Sequence, residues 1–331
     1  MTFTLVALVV MALAFDFING FHDAANSIAT VVTTKVLKPL HAVVWAAFFN
    51  FIAFLFFETK VAQTIGGGLI DTSVVDPVLI GAALFGAIFW NLLTWYYGIP
   101  SSSSHALVGG LVGSALAKAG LDVIHMKGLG TVLVSIILSP LIGLVLGFLL
   151  MQLTRRLLAR QSPIKIDKWF RRLQLLSAGL YSLGHGGNDA QKTMGVIAVL
   201  LFSTGNLGSE FYVPTWVVIS CQAAMALGTL CGGWRIVETM GAKITKLKPV
   251  GGFCAETSGA ITLFGATALG IPVSTTHTIT GSIVGVGVSG GSKGVRWIET
   301  HRILWAWVFT VPVVAIISAL SWALLNWAHG I

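Results

Sequence analysis

Two stretches of this sequence, GIPSSSSHALVGGLVG (98–113) and GIPVSTTHTITGSIVG (270–285), each place a proline and a run of hydroxyls just before an apolar, helix-forming segment. That order predicts a helix start, where serine and threonine side chains join backbone N–H groups that have no partner inside the helix. Such an end binds anions. Ser101, Ser102, Ser103 and Ser104 in the first stretch, with Ser274, Thr275 and Thr276 in the second, are therefore candidate ligands for a small tetrahedral oxyanion. A second pair of stretches carries acids: GFHDAANSIAT (20–30) and GGNDAQKTMGV (186–196) align Asp23 with Asp189. Asp16, Asn26, Lys192 and Glu256 also lie inside apolar segments, where an ionised side chain costs at least about 2.5–3.5 kcal/mol. Carboxylate and amide oxygens suit hard cations and protons. The competing reading, in which the hydroxyls only cap helices and the acids only line turns, must explain why both patterns occur twice in the same order.

These groups need elements to position them, and the chain that supplies them is mostly apolar. Of 331 residues, 55% are hydrophobic and 10% charged, with a mean hydropathy of +0.87; ordinary soluble domains carry about a quarter charged residues. The reading is an all-α polytopic membrane protein. Apolar segments fall near 3–33, 41–57, 78–97, 105–118 and 131–153, then near 173–202, 214–233, 251–270, 277–291 and 303–325. If each crosses once, sixteen of the twenty lysines and arginines fall on one side and three on the other, which marks the crowded side as cytoplasmic and puts both termini outside. The basic loop 154–172 belongs to that side. In a membrane chain the net charge of +8 records this asymmetry, and no nucleic-acid partner is expected. Cys221, Cys231 and Cys254 fit neither a disulfide framework nor a metal-binding spacing.

The two halves are copies. Eight of sixteen positions agree between the two hydroxyl stretches without a gap, and the acidic stretches precede them in the same order. Five segments per half is an odd number, so residues 1–153 and 173–331 form two inverted repeats flanking the loop 154–172, an arrangement typical of secondary transporters. Segments 3–33 and 173–202 exceed the roughly 30 Å apolar core if continuously helical, and INGFHD and GHGGND are predicted to break them. Segments 105–118 and 277–291 are short for full crossings and could be re-entrant. Gly109 with Gly113, and Gly281 with Gly285, are spaced for close helix packing.

NGFHDAANSIATVV with PSSSSH, and GHGGNDAQKTMG with PVSTTH, resemble the paired signatures of the inorganic phosphate transporter (PiT) family, and NGFHDAAN is most similar to its bacterial low-affinity branch. The resemblance spans nearly the whole chain. It implies a symporter of inorganic phosphate in the cytoplasmic membrane of a prokaryote, driven by protons or sodium, with phosphate taken as the free anion or as a metal complex. It implies no enzyme activity and no resident cofactor, and it is compatible with a homo-oligomer. By motif position, Ser101 to Ser104 and Ser274 to Thr276 would hold phosphate. Asp23, Asn26, Asn188, Asp189 and Glu256 would handle the cation, with Asp23, Asn26 and Asp189 as the metal contacts. Glu58 resembles a glutamate used by some relatives but falls at a segment end, where it could equally be interfacial. Lys192 is expected to pair with Asp189, three residues earlier on one helix face. His22, His105, His185 and His277 adjoin the motifs as hydrogen-bonding groups. A sulfate permease and an anion channel are the remaining alternatives; a Ser/His hydrolase is disfavoured because the duplicated motif gives no single asymmetric centre.

Overall fold

The computed structural model describes residues 2–329, without the side chain of His329, so the outermost repeat boundaries at 1 and 331 lie outside the described residues. Among the described residues the regular elements are helical. They are α1 (Phe3–His22), α2 (Ala24–Thr33), α3 (Pro39–Ile52), α4 (Lys60–Gly68), α5 (Pro77–Tyr96), α6 (Ser103–Ala119) and α7 (Met126–Leu157). Then follow α8 (Pro163–Ser203), α9 (Thr215–Cys231), α10 (Trp234–Glu238), α11 (Pro249–Ala268), α12 (Thr275–Val288) and α13 (Trp297–His329). Each of the ten apolar segments has become a helix or a helix pair.

The duplication extends well beyond the motifs. Gly98 and Gly270 both turn the chain at positive φ, +64° and +69°, a conformation only glycine adopts freely. Ser102 and Ser274 both cap the following helix by accepting from the N–H of the histidine three residues on, each at 3.2 Å. Pro140 lies inside α7 and Pro312 inside α13. α3 with α4, and α9 with the segment Trp234–Lys243, bend by 79° and 65°. The halves are not separate bodies, however: α12 packs chiefly on α7 and α13 on α6, so each copy's last helix supports the other copy's hydroxyl-capped helix. The spaced glycines permit that contact. A side chain on Gly281 would run into the carbonyl of Pro140, and one on Gly113 into that of Ala315.

Loops segregate to two ends. At one, Arg171 donates to Lys35 O (3.0 Å), Arg155 to Ser289 O (2.6 Å) and Arg235 to Tyr96 O (2.5 Å), and Thr245 bridges to Val295. At the other, Ile70 bridges to Ile124 and Thr64 donates to Gly270 O (2.8 Å). α6 and α12 start together in the buried middle and run to opposite ends. They are half-length helices with extended lead-ins at 97–102 and 270–274, which accounts for the shortness of segments 105–118 and 277–291.

Among the described residues, four helices, α1 with α2, α5, α7 and α13, are long and apolar enough to cross a membrane, or six spans if each bent pair counts as one. The ten expected segments exceed that number because α6 and α12, at 17 and 14 residues, are too short to cross alone, and because α8 and α11 are shielded by neighbours and carry buried polar groups; a sheltered helix need not be apolar. α7 and α13 turn Ile137, Leu141, Val308 and Leu320 outward instead.

One expectation is corrected. α1 and α2 are interrupted at Asp23, which departs from helical geometry (φ −92°, ψ 3°), but α8 runs unbroken through GHGGND for 41 residues. Its glycines serve packing: a side chain on Gly186 would strike the backbone of Asn50, and one on Gly187 the ring of Phe57. Close neighbours hold α8 straight where its sequence would let it loosen.

Candidate functional site

The helix starts of α6 and α12, the interruption at Asp23 and the middle of α8 converge on one buried polar cluster. Asp189 is its hub. Its Oδ1 takes the ammonium of Lys192, the paired neighbour expected at this spacing, and the hydroxyl of Ser104 at 3.3 Å. Oδ2 accepts from Thr275 at 2.7 Å and lies 3.2 Å from His185 Nε2. Lys192 reaches further, donating to Ser104 Oγ (2.5 Å) and to Val273 O (2.7 Å), so one ammonium ties α8 to the first turn of α6 and to the lead-in of α12. Asp189 is fully buried, and Lys192 is 2% exposed. Removing either partner from such a pair strands a charge, at about 3–5 kcal/mol.

From α2, Asn26 donates to Thr275 (3.2 Å) and Thr276 (3.0 Å), leaving its own Oδ1 without a partner. Asp23 sits beside His22, whose Nδ1 is 2.6 Å from Oδ1. The other ring nitrogen of His22 faces Thr94 at 3.0 Å and Ser101 at 3.4 Å. Asp23, His185 and Asp189 each offer a ligand atom within 4.8 Å of the others. Two of these atoms are carboxylate oxygens and the third is a ring nitrogen, so His185 stands in the trio where Asn26 was expected. His185 is legible in the sequence as the residue four before Asp189, on the same helix face; the break expected at GHGGND obscured that spacing.

The seven hydroxyls differ in what they do. Ser102 and Ser274 are occupied as helix caps. Ser101 is engaged with Thr94 (2.8 Å), Ser104 and Thr275 with Asp189, and Thr276 with Asn26. Ser103 Oγ is buried without a partner. Behind the two starts, the His105 and His277 rings stand 4.6 Å apart, and His277 stacks on Trp307 at 3.7 Å. His277 Nδ1 lies 3.4 Å from Ile136 O, a carbonyl that Pro140, lacking an N–H, leaves free in α7.

Three other expected residues stand apart from this hub. Glu256 on α11 is buried and held by Thr30 (2.6 Å), Gln174 (2.9 Å) and Ser177 (2.5 Å). It is tied to the centre through α2, since Thr30 lies one turn beyond Asn26. Asn188 turns its amide to Thr267 (2.9 Å) and Ile271 O (3.3 Å). Glu58 is on the surface, 78% exposed and paired with Lys60 at 3.0 Å, as an interfacial residue would be. Thr30, Gln174 and Ser177 went unnoticed in the sequence because isolated hydroxyls and amides carry no pattern.

Residues 19–318 match the model of the phosphate transporter family. The chain belongs to that family. It is similar to a probable low-affinity inorganic phosphate transporter of Rhizobium meliloti (strain 1021), 65% identical over 96% of this chain and 95% of that protein. A protein of the same description in Bacillus subtilis (strain 168) is 48% identical over 97% of each. A solved structure, the sodium-dependent phosphate transporter, superposes with a TM-score of 0.89 at 25% identity, covering 98% of this chain and 99% of that one. Membership of the phosphate transporter family makes the cluster part of a transporter rather than a catalytic centre.

Proposed function

We propose that this protein is a secondary carrier that moves inorganic phosphate across the cytoplasmic membrane of a prokaryote together with a proton or a sodium ion. The observation that carries the reading is that the anion's best donors are already held by an acid: Lys192, Ser104 and Thr275 all contact Asp189. A cation or proton arriving at Asp189 replaces those contacts and releases the ammonium and the hydroxyls toward phosphate. Ser101 to Ser104 and Ser274 to Thr276, with the free N–H groups of two helix starts that each amount to about half a positive charge, complete the anion cradle. Asp23, Asn26 and Asp189, joined by His185, receive the cation, and they would also face the metal if phosphate travels as a metal complex. Asn188 and Glu256 support the α8–α11 side. Glu58 is left with an interfacial role. The relatives' names favour phosphate over sulfate, and buried acids in both copies favour coupled carriage over a channel.

Residues 1–153 and 173–331 are read as inverted repeats, with loop 154–172 in the cytoplasm. Uptake of labelled phosphate into proteoliposomes, with pH and sodium gradients imposed separately, tests the reading. Concentrative uptake driven by one gradient and resistant to excess sulfate is expected. Uptake that only equilibrates, or that sulfate abolishes, overturns it.

A further inference from the structure

Asp16 takes no part in the cluster above. It lies on α1 seven residues before Asp23, on the same helix face and about 10 Å along the axis. Its carboxylate is fully buried, and neither oxygen has a hydrogen-bond partner. Asn19, Thr193 of α8 and Cys221 of α9 stand beside it. Asn19 Oδ1 and Thr193 Oγ1 are likewise buried and unpartnered. A buried carboxyl group left in this state is unstable unless a proton or a cation joins it.

The repeat supplies an internal control. The register that sets Asp23 on Asp189 sets Asp16 on Ser182, Asn19 on His185 and Ser27 on Thr193. In the second version of the site the corresponding groups have partners: Ser182 donates to Ala178 O at 2.8 Å, and Ser27 Oγ meets His185 Nδ1 at 3.2 Å. The fold therefore does not impose unpartnered atoms at this position. The version containing Asp16 gathers four unpartnered oxygens, two of them from one carboxyl group. Oxygens around a hard cation lie about 2.3–2.6 Å from it, and so roughly 3.3–3.7 Å from one another. Oxygens that share a cation are therefore neighbours outside hydrogen-bond geometry, and none of these four has a hydrogen-bond partner.

We propose that Asp16, Asn19 and Thr193 form a binding site for a monovalent hard cation of sodium's class, separate from the Asp23–His185–Asp189 cluster. A single carboxylate balances a single charge, whereas a divalent ion would remain under-neutralised. A proton on Asp16 would partner one of the other oxygens at most. The site stands on its own geometry and rests on the cation-coupled reading only for its role, as a second ion accompanying phosphate.

The test uses full-length purified protein in sodium-free choline chloride buffer at neutral pH, titrated with sodium chloride. Unfolding midpoints and calorimetric binding are read for the wild type, Asp16→Asn, Thr193→Val and Asp189→Asn. The expected result has three parts. Asp16→Asn unfolds at a higher temperature than the wild type without sodium, because a buried carboxyl group with two unpartnered oxygens is gone, and its sodium affinity falls at least tenfold. Thr193→Val weakens sodium binding without that gain in stability. Asp189→Asn keeps a sodium-dependent rise in the midpoint that the Asp16→Asn, Asp189→Asn double variant lacks. Sodium binding by Asp16→Asn equal to wild type in affinity and stoichiometry overturns the proposal. So does a wild type that responds to pH but not to sodium, which would make Asp16 a protonated acid. Failure of the transport reading looks different: phosphate uptake would only equilibrate under either gradient while sodium binding at Asp16 persisted.

Discussion

Lys192 and Asp189 constrain each other. Each is buried, and each is the other's counter-charge. Asp189→Asn is expected to abolish concentrative phosphate uptake and also to cost about 3–5 kcal/mol by stranding the ammonium. Lys192→Gln added to it should restore most of the stability but not the coupling, so thermal unfolding and proteoliposome uptake will separate the two roles. The hydroxyls can be separated in the same way. Ser103→Ala removes an unpartnered oxygen and should leave the fold intact while weakening phosphate binding roughly tenfold, the value of about one charge-assisted hydrogen bond. Ser102→Ala and Ser274→Ala remove caps and should each lower stability by about 1 kcal/mol besides affecting affinity. Calorimetry with phosphate on the purified variants checks the ranking; equal losses of affinity in all three would contradict it.

At the scale of elements, α6 and α12 matter because their N-termini meet and because each lies against the far repeat's long helix. Both contacts depend on carbonyl-to-glycine approaches: Gly281 against Pro140, Gly285 against Leu144, Gly109 against Val311 and Gly113 against Ala315. Gly281→Leu is expected to push α12 off α7, displacing Thr275 and Thr276 from Asp189 and Asn26. The protein should then lose phosphate binding and shift to aggregate in size-exclusion chromatography. Gly265→Ala, where a side chain meets nothing within 4 Å, should behave as wild type and serves as the control for adding bulk to a helix.

For the whole molecule, the loops that gather Lys35, Arg155, Arg171, Lys246, Lys248, Lys293 and Arg296 form one end, around a groove of about 990 Å³ that Arg155, Lys246, Lys248, Lys293 and Arg296 line. By the positive-inside rule this end is expected to face the cytoplasm. Gln161→Cys, placed in a Cys231→Ala background because Cys231 is the exposed native thiol, should resist an impermeant maleimide added to intact cells and react after lysis. Labelling from outside would reverse the orientation. The exchange of α7 and α13 between halves has a second consequence. Residues 1–160 or 161–331 expressed alone should be degraded or aggregated, whereas co-expression should reconstitute uptake, since α7 and α13 are each supported by the other half.

The sequence by itself determined the class, and it carries the duplicated motifs from which the repeat and the site chemistry are read. A 55% hydrophobic chain has no soluble solution, and hydroxyl-rich helix starts and recurring acids keep their character in any fold that buries them. Helix existence was legible for the same reason, because apolar runs of this length have few other ways to satisfy their backbone. What the tertiary structure decided is which of those groups touch. Asp189, Lys192, Ser104, Thr275 and Asn26 come from four helices, and their convergence follows from the crossed packing of α6 on α13 and α12 on α7. GHGGND reads locally as a break, yet neighbours on either side hold α8 helical and so bring His185 beside Asp189. Ser102 and Ser274 could not be told from their neighbours by type, because capping is a matter of backbone position. Local propensity fixes what a residue can do, and long-range packing selects the partner with which it does it.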